Sequence, residues 1–115
     1  MSDKPVTWLG TSRADVREFP EDARRAVGFE LRQVQHGLMP TDWKPMTTVG
    51  PGVVEIRIHE AGEHRVLYVA KFAEAVYVLH AFEKRTRQTP GVAIDLARTR
   101  YKQLQQARKR REENP

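Results

Sequence analysis

Three β-rich runs joined by three-residue connections constrain this chain more than any other feature. VVEIRIHE, HRVLYVAK and AVYVLHAF fall between Val53 and Phe82, and each is rich in residues that suit a pleated, half-buried surface. Ala61-Gly62-Glu63 separates the first pair and Phe72-Ala73-Glu74 the second. Links this short force antiparallel neighbours, because a parallel crossover needs a dozen or more residues. The stretch therefore predicts a three-stranded meander.

Side chains alternate across a strand, so Val54, Ile56 and Ile58 share one face of the first run while Glu55, Arg57 and His59 share the other. Arg65 and Lys71 share a parity in the second run, and the third ends in Lys84-Arg85-Thr86-Arg87. The pattern predicts one apolar face and a patch of Arg, Lys and His on a common face or edge. A solvated sheet face gives the same alternation, since antiparallel sheets often keep one side wet.

The flanking elements follow from capping and periodicity. Val6 to Leu9 predicts a first strand that pairs with the meander. Thr11 and Ser12, with Asp15 three residues after Ser12, predict a capped short helix over 12–18. Pro20, Glu21 and Asp22 suit a helix N-terminus, and Ala23, Ala26, Val27, Leu31 and Val34 form one stripe, so a long helix is expected over 20–36, ending at Gly37. Prolines 40, 45 and 51 mark residues 38–52 as a loop, with Trp43 and Met46 folded onto the core and a brief extended piece at 46–49. A final helix is expected over 90–111, on a stripe of Ala93, Ala97, Tyr101 and Leu104, with a basic tail fraying from about residue 108. The resulting order is β-α-α-β-β-β-α in an α+β fold, a small antiparallel sheet packed by helices, spanning 1–115 as one domain.

Composition narrows the function classes. With 30% charged residues, a net charge of +5 and a pI near 9.9, the chain suits a nucleic-acid ligand or an acidic protein partner. Arg outnumbers Lys, and Arg is the better bidentate phosphate ligand. There is no cysteine, which removes disulfides and thiolate chemistry and points to a reducing compartment. No apolar run reaches the roughly 18 residues of a membrane span, and MSDKPVTWLG lacks a signal-peptide core, so a cytoplasmic location and no membrane partner are expected. Phosphate-loop, dinucleotide and nucleophile-elbow motifs are missing. The four histidines lack zinc-site spacing, so neither metal nor cofactor is expected. His80, inside the third run, is either a satisfied core histidine or an acid–base group. His59, His64 and His36 read as surface residues, and Tyr101 as core rather than a base-stacking platform.

The chain resembles the RelE/HigB superfamily of bacterial toxins, in its phage-derived, HigB-like branch. The resemblance rests on Phe19, Pro20, Ala26, Leu31, Gln35 and Gly37, on Lys44 to Met46 before Gly50, on VEIRI, HRVLYV and YVLHAFEKRTRQTP, and on Ala97, Arg100 and Tyr101. It implies a RelE-like fold and a metal-independent, ribosome-dependent endoribonuclease in which the RNA's 2′-hydroxyl attacks the adjacent phosphate. Carried onto this sequence, it implies Arg65 and Arg85 at the phosphate, Lys84 as a charge or proton donor, and Arg57 as orienting residue or base. His80 is the possible acid or base, with Lys71, Arg87 and His59 along the RNA. Glu55 departs from the family, holding a slot that is Lys in the best-studied branch. The implied partners are messenger RNA on the ribosome and a helix-turn-helix antitoxin of the HigA/XRE type, with operator DNA reached only through the antitoxin. Two alternatives stand beside this: a catalytically decayed module kept for complex formation and transcriptional control, and a phage structural or host-interaction protein sharing only the fold.

Overall fold

A computed structural model describes residues 3–113. The elements are β1 (Val6–Trp8), α1 (Ser12–Arg17), α2 (Glu21–Gln35), β2 (Trp43–Pro45), β3 (Val53–Ile58), β4 (His64–Val69), β5 (Val76–Glu83) and α3 (Gly91–Glu113). The three runs form the meander β3-β4-β5, with Ala61 and Gly62 taking the positive-φ positions of the first turn. Two short strands extend it into a five-stranded sheet of order β1-β5-β4-β3-β2. β1 lies parallel to β5, so the sheet is mixed rather than purely antiparallel.

β2 corrects the reading of 38–52 as a loop. The extended piece lies at 43–45, antiparallel to β3, and 46–49 forms a turn. Pro45 lacks an N–H, which an edge strand tolerates, and Lys44 before it is biased to extended backbone. Met46 is buried as expected, whereas Trp43 stays 41% exposed.

The larger correction concerns the sheet faces. α1, α2 and the link between them cover the first, packing Val16, Phe19, Val27 and Leu31 against Ile56, Ile58, Val66 and Val78. The second is also a core: Val53, Leu67, Val69, Tyr77 and Leu79 pack against Met46, Ala97, Tyr101 and Leu104. α3 is pinned there by Tyr101 Oη donating to Pro51 O (2.7 Å) and Arg98 Nε to Thr48 O (2.6 Å). The cationic parity is therefore wet only where α3 does not reach. His64, expected at the surface, is buried against Phe19 with ring centroids 4.4 Å apart.

The helix caps differ in detail. Ser12 is buried and donates to Val78 O, while Thr11, not Ser12, donates to Asp15. α3 continues to Glu113, beyond the expected fraying point at 108. Arg108 explains this: its guanidinium donates twice to Glu74 and lies 3.9 Å from the Phe72 ring centroid. The bond from Arg108 holds the Glu74 carboxyl at about 2, well below its usual range. No helix among the described residues is long and apolar enough to cross a membrane.

Candidate functional site

β3 and β4 place Arg57 directly opposite Arg65, and Arg65 in turn opposite Phe82 on β5. Directly opposed side chains have Cβ atoms about 5 Å apart, and like charges there repel. One row further along, Lys44 of β2 faces Glu55 of β3. Glu55 is fully buried and Arg65 only 5% exposed. The Nε atoms of Arg57 and Arg65 each lie 3.7 Å from the same oxygen, Glu55 Oε1. That is an ion-pair distance but too long for a hydrogen bond. Both Nε atoms and Oε1 are buried without a hydrogen-bond partner among the described residues. The second oxygen, Oε2, accepts from Thr89 Oγ1 at 2.8 Å.

Lys84, just past β5, belongs to the same cluster. Partial burial pushes its ammonium below the usual lysine range; Arg65, and more weakly Lys44 and Arg57, push the same way, while Glu55 opposes them. Four cations thus converge around one buried carboxylate. Lys44, Arg57 and Lys84 keep exposed surface, whereas Arg65 lies beneath them. Its Nη1 donates to His64 O (2.9 Å) and Nη2 to Glu63 (3.1 Å). Lys44 is not among the site residues the sequence predicts, because β2 takes its strand form only from pairing with β3.

The other expected site residues lie elsewhere. Arg85 is 81% exposed on its side chain and pairs with Glu83, on the opposite strand parity from Phe82. Lys71 is six residues along from Arg65, about 20 Å at a strand's rise, beside Phe72 at the far end of the sheet. Arg87 is exposed in the segment after β5 and shares a surface depression with Lys44, Thr89 and Ile94. His80 stacks on Phe82, and its polar neighbours are Arg100 (3.4 Å) and Asp15 (3.9 Å). Burial, then the Arg100 charge, lower its pKa.

His59 is bound on both ring nitrogens, Nε2 to Asp42 (2.6 Å) and Nδ1 to Glu63 (2.8 Å). The bond to Asp42, then that to Glu63, raises its pKa above the ordinary 6.5. A raised histidine stabilises the fold fully below its unfolded value, and the contribution is lost as pH rises through the folded value. Stability of the wild type should therefore decline from just above pH 6.5 upward by an amount that His59→Gln removes. Urea midpoints of the two proteins across pH 5.5–8.5 check this; parallel curves would refute it.

Fold and cluster together define a small basic α+β protein with a cation patch built around a carboxylate on one sheet face. The chain belongs to the phage-derived, Gp49-like family (DUF891), which it matches over residues 14–102. That span contains β2 to β5 and every member of the cluster. The family is associated with RelE-like toxins of toxin–antitoxin systems. No curated protein gave a match to the sequence.

Proposed function

We propose that this protein is the toxin of a type II toxin–antitoxin system and cleaves messenger RNA on the ribosome without a metal. The observation that carries the reading is the convergence of Lys44, Arg57, Arg65 and Lys84 on one face, two of them opposed across neighbouring strands at an electrostatic cost. Glu55 and Glu63 offset part of that charge, and the positive excess that Lys44, Arg57 and Lys84 leave at the surface suits an incoming anion. In the proposed reaction the 2′-oxygen of a nucleotide forms a bond to the adjacent phosphorus and its proton passes to a base. The 5′-oxygen of the next nucleotide leaves and takes a proton from an acid, giving a 2′,3′-cyclic phosphate. Arg57, Lys44 and Lys84 would grip the phosphate oxygens, and Arg65 would add its field from below. Preorganised cations aimed at developing negative charge supply several kcal/mol, roughly 10²–10³-fold per group. Lys84, a member of the cluster whose pKa is lowered, would donate the proton to the leaving oxygen. Arg87 extends the RNA path along the depression beside Lys44. The partner that silences the toxin is a helix-turn-helix antitoxin.

One observation favours the second reading, a decayed module that only complexes such a partner. Glu55 is the carboxylate at the centre, and its complete burial keeps it from acting as a base on substrate. Inducing the chain alone separates the two. A toxin arrests growth and cuts translated messages, and Lys44→Ala/Arg57→Ala abolishes both effects. Harmless induction, with retained capture of the antitoxin, would establish the decayed module instead.

A further inference from the structure

Thr89 is 34 positions from Glu55 in sequence, in the segment joining β5 to α3, yet it supplies the one hydrogen bond to that carboxylate among the described residues. Glu55 is fully buried, and its other oxygen meets both guanidinium groups only at 3.7 Å. Long contacts of this kind attract but do not orient; a 2.8 Å hydrogen bond does both. We propose that Thr89 is a positioning residue: by fixing Glu55 it holds Arg57 and Arg65 side by side, and it ties the 84–90 segment, which carries Lys84, to the same point. The anion this serves is the RNA phosphate of the proposed function, on which that part of the inference rests. The geometric part does not depend on it.

The fold contains its own control. Glu30 of α2 is also buried and is clamped by Thr41, through N and Oγ1 at 2.6 Å each, on the other side of the sheet. Thr89→Val and Thr41→Val each remove one hydroxyl donor from a buried glutamate at nearly constant shape. Thr41→Val leaves Glu30 its bond from Thr41 N and touches neither arginine, so it reports what losing a buried hydroxyl does to the fold alone.

Two readouts test the assignment on the full-length chain. The first is binding to ribosomes programmed with a short message bearing a 2′-deoxy substitution at the scissile position, which blocks cleavage. Thr89→Val should weaken it about tenfold, Thr89→Ser should restore it, and Thr41→Val should leave it within about twofold. The second is the pair of arginine Nε–Hε NMR resonances of Arg57 and Arg65. Both should shift and exchange faster with water in Thr89→Val, and in neither Thr89→Ser nor Thr41→Val. Unchanged resonances in Thr89→Val overturn the inference. If the wild type binds no ribosome programmed with that message while the resonances respond as stated, the proposed function fails and the positioning role stands.

Discussion

Replacing Arg65 by alanine should abolish messenger cleavage and also cost much of the fold's stability, and the two losses should separate in Arg65→Lys. Arg65 is 5% exposed, and its guanidinium serves three acceptors: His64 O, Glu63 and, at longer range, Glu55. Truncation to alanine takes from the buried Glu55 the more deeply buried of its two guanidinium partners, leaving Arg57 as the one at 3.7 Å. Breaking a buried pair from one side costs about 3–5 kcal/mol, against a total of roughly 5–15 kcal/mol for a domain. Lysine keeps the charge, so Glu55 stays compensated, but it cannot reproduce the planar fork that binds His64 O and Glu63 together. Arg65→Lys should therefore fold, with a melting temperature only a few degrees below wild type, while cleavage falls about 10²-fold for one misplaced cation. Thermal melts and single-turnover cleavage of ribosome-bound message check both halves. An Arg65→Lys protein of full activity would show that charge alone, not its geometry, matters at this position.

The same residues explain what the sequence revealed and what it hid. The meander was legible because Val, Ile and Tyr alternate over short links, and α2 because its stripe has one period and clear ends. Arg57 and Arg65 were legible as members of one cation patch from their strand parities, whereas their direct opposition comes from the hairpin register. β2 was hidden: three residues ending in proline have no periodicity of their own, and their strand form comes from pairing with β3. Lys44 was lost with it, although its place before Pro45 already biases it to extended backbone. The second core escaped because the parity that carries Glu55 and Arg57 looks polar in β3 but apolar in β4 and β5, where Leu67, Val69, Tyr77 and Leu79 follow it. A helix laid across half a face is a tertiary fact. So is the persistence of α3 past residue 108, which depends on Glu74 and Phe72 from a distant loop. Arg85 and Lys84 are neighbours in sequence, and only the exit of the chain from β5 decides that Lys84 joins the cluster while Arg85 turns to Glu83.

Lys84 should show the opposite signature from Arg65: its removal should stabilise the protein while it disables it. The ammonium is held below its ordinary pKa by partial burial and then by Arg65, with Lys44 and Arg57 adding to the effect. A lysine whose folded pKa lies below its unfolded one opposes folding at all pH values beneath the folded pKa. The penalty fades as pH climbs from the folded toward the unfolded value, because there the unfolded chain binds more protons. Lys84→Met deletes that penalty and keeps the aliphatic length, so its urea midpoint should exceed that of the wild type at pH 7 and converge on it at high pH. Cleavage should drop about 10²- to 10³-fold if the ammonium both grips the phosphate and protonates the leaving oxygen. Lys84→Arg distinguishes those two duties. Arginine retains the charge but does not give up a proton in this range, so it should rescue RNA binding, restore little of the rate, and erase the alkaline limb of the pH–rate profile. A Lys84→Met protein less stable than wild type would mean that Glu55 outweighs the three cations around it, and the cluster would then be a structural ion network rather than a site kept under repulsion for an incoming anion.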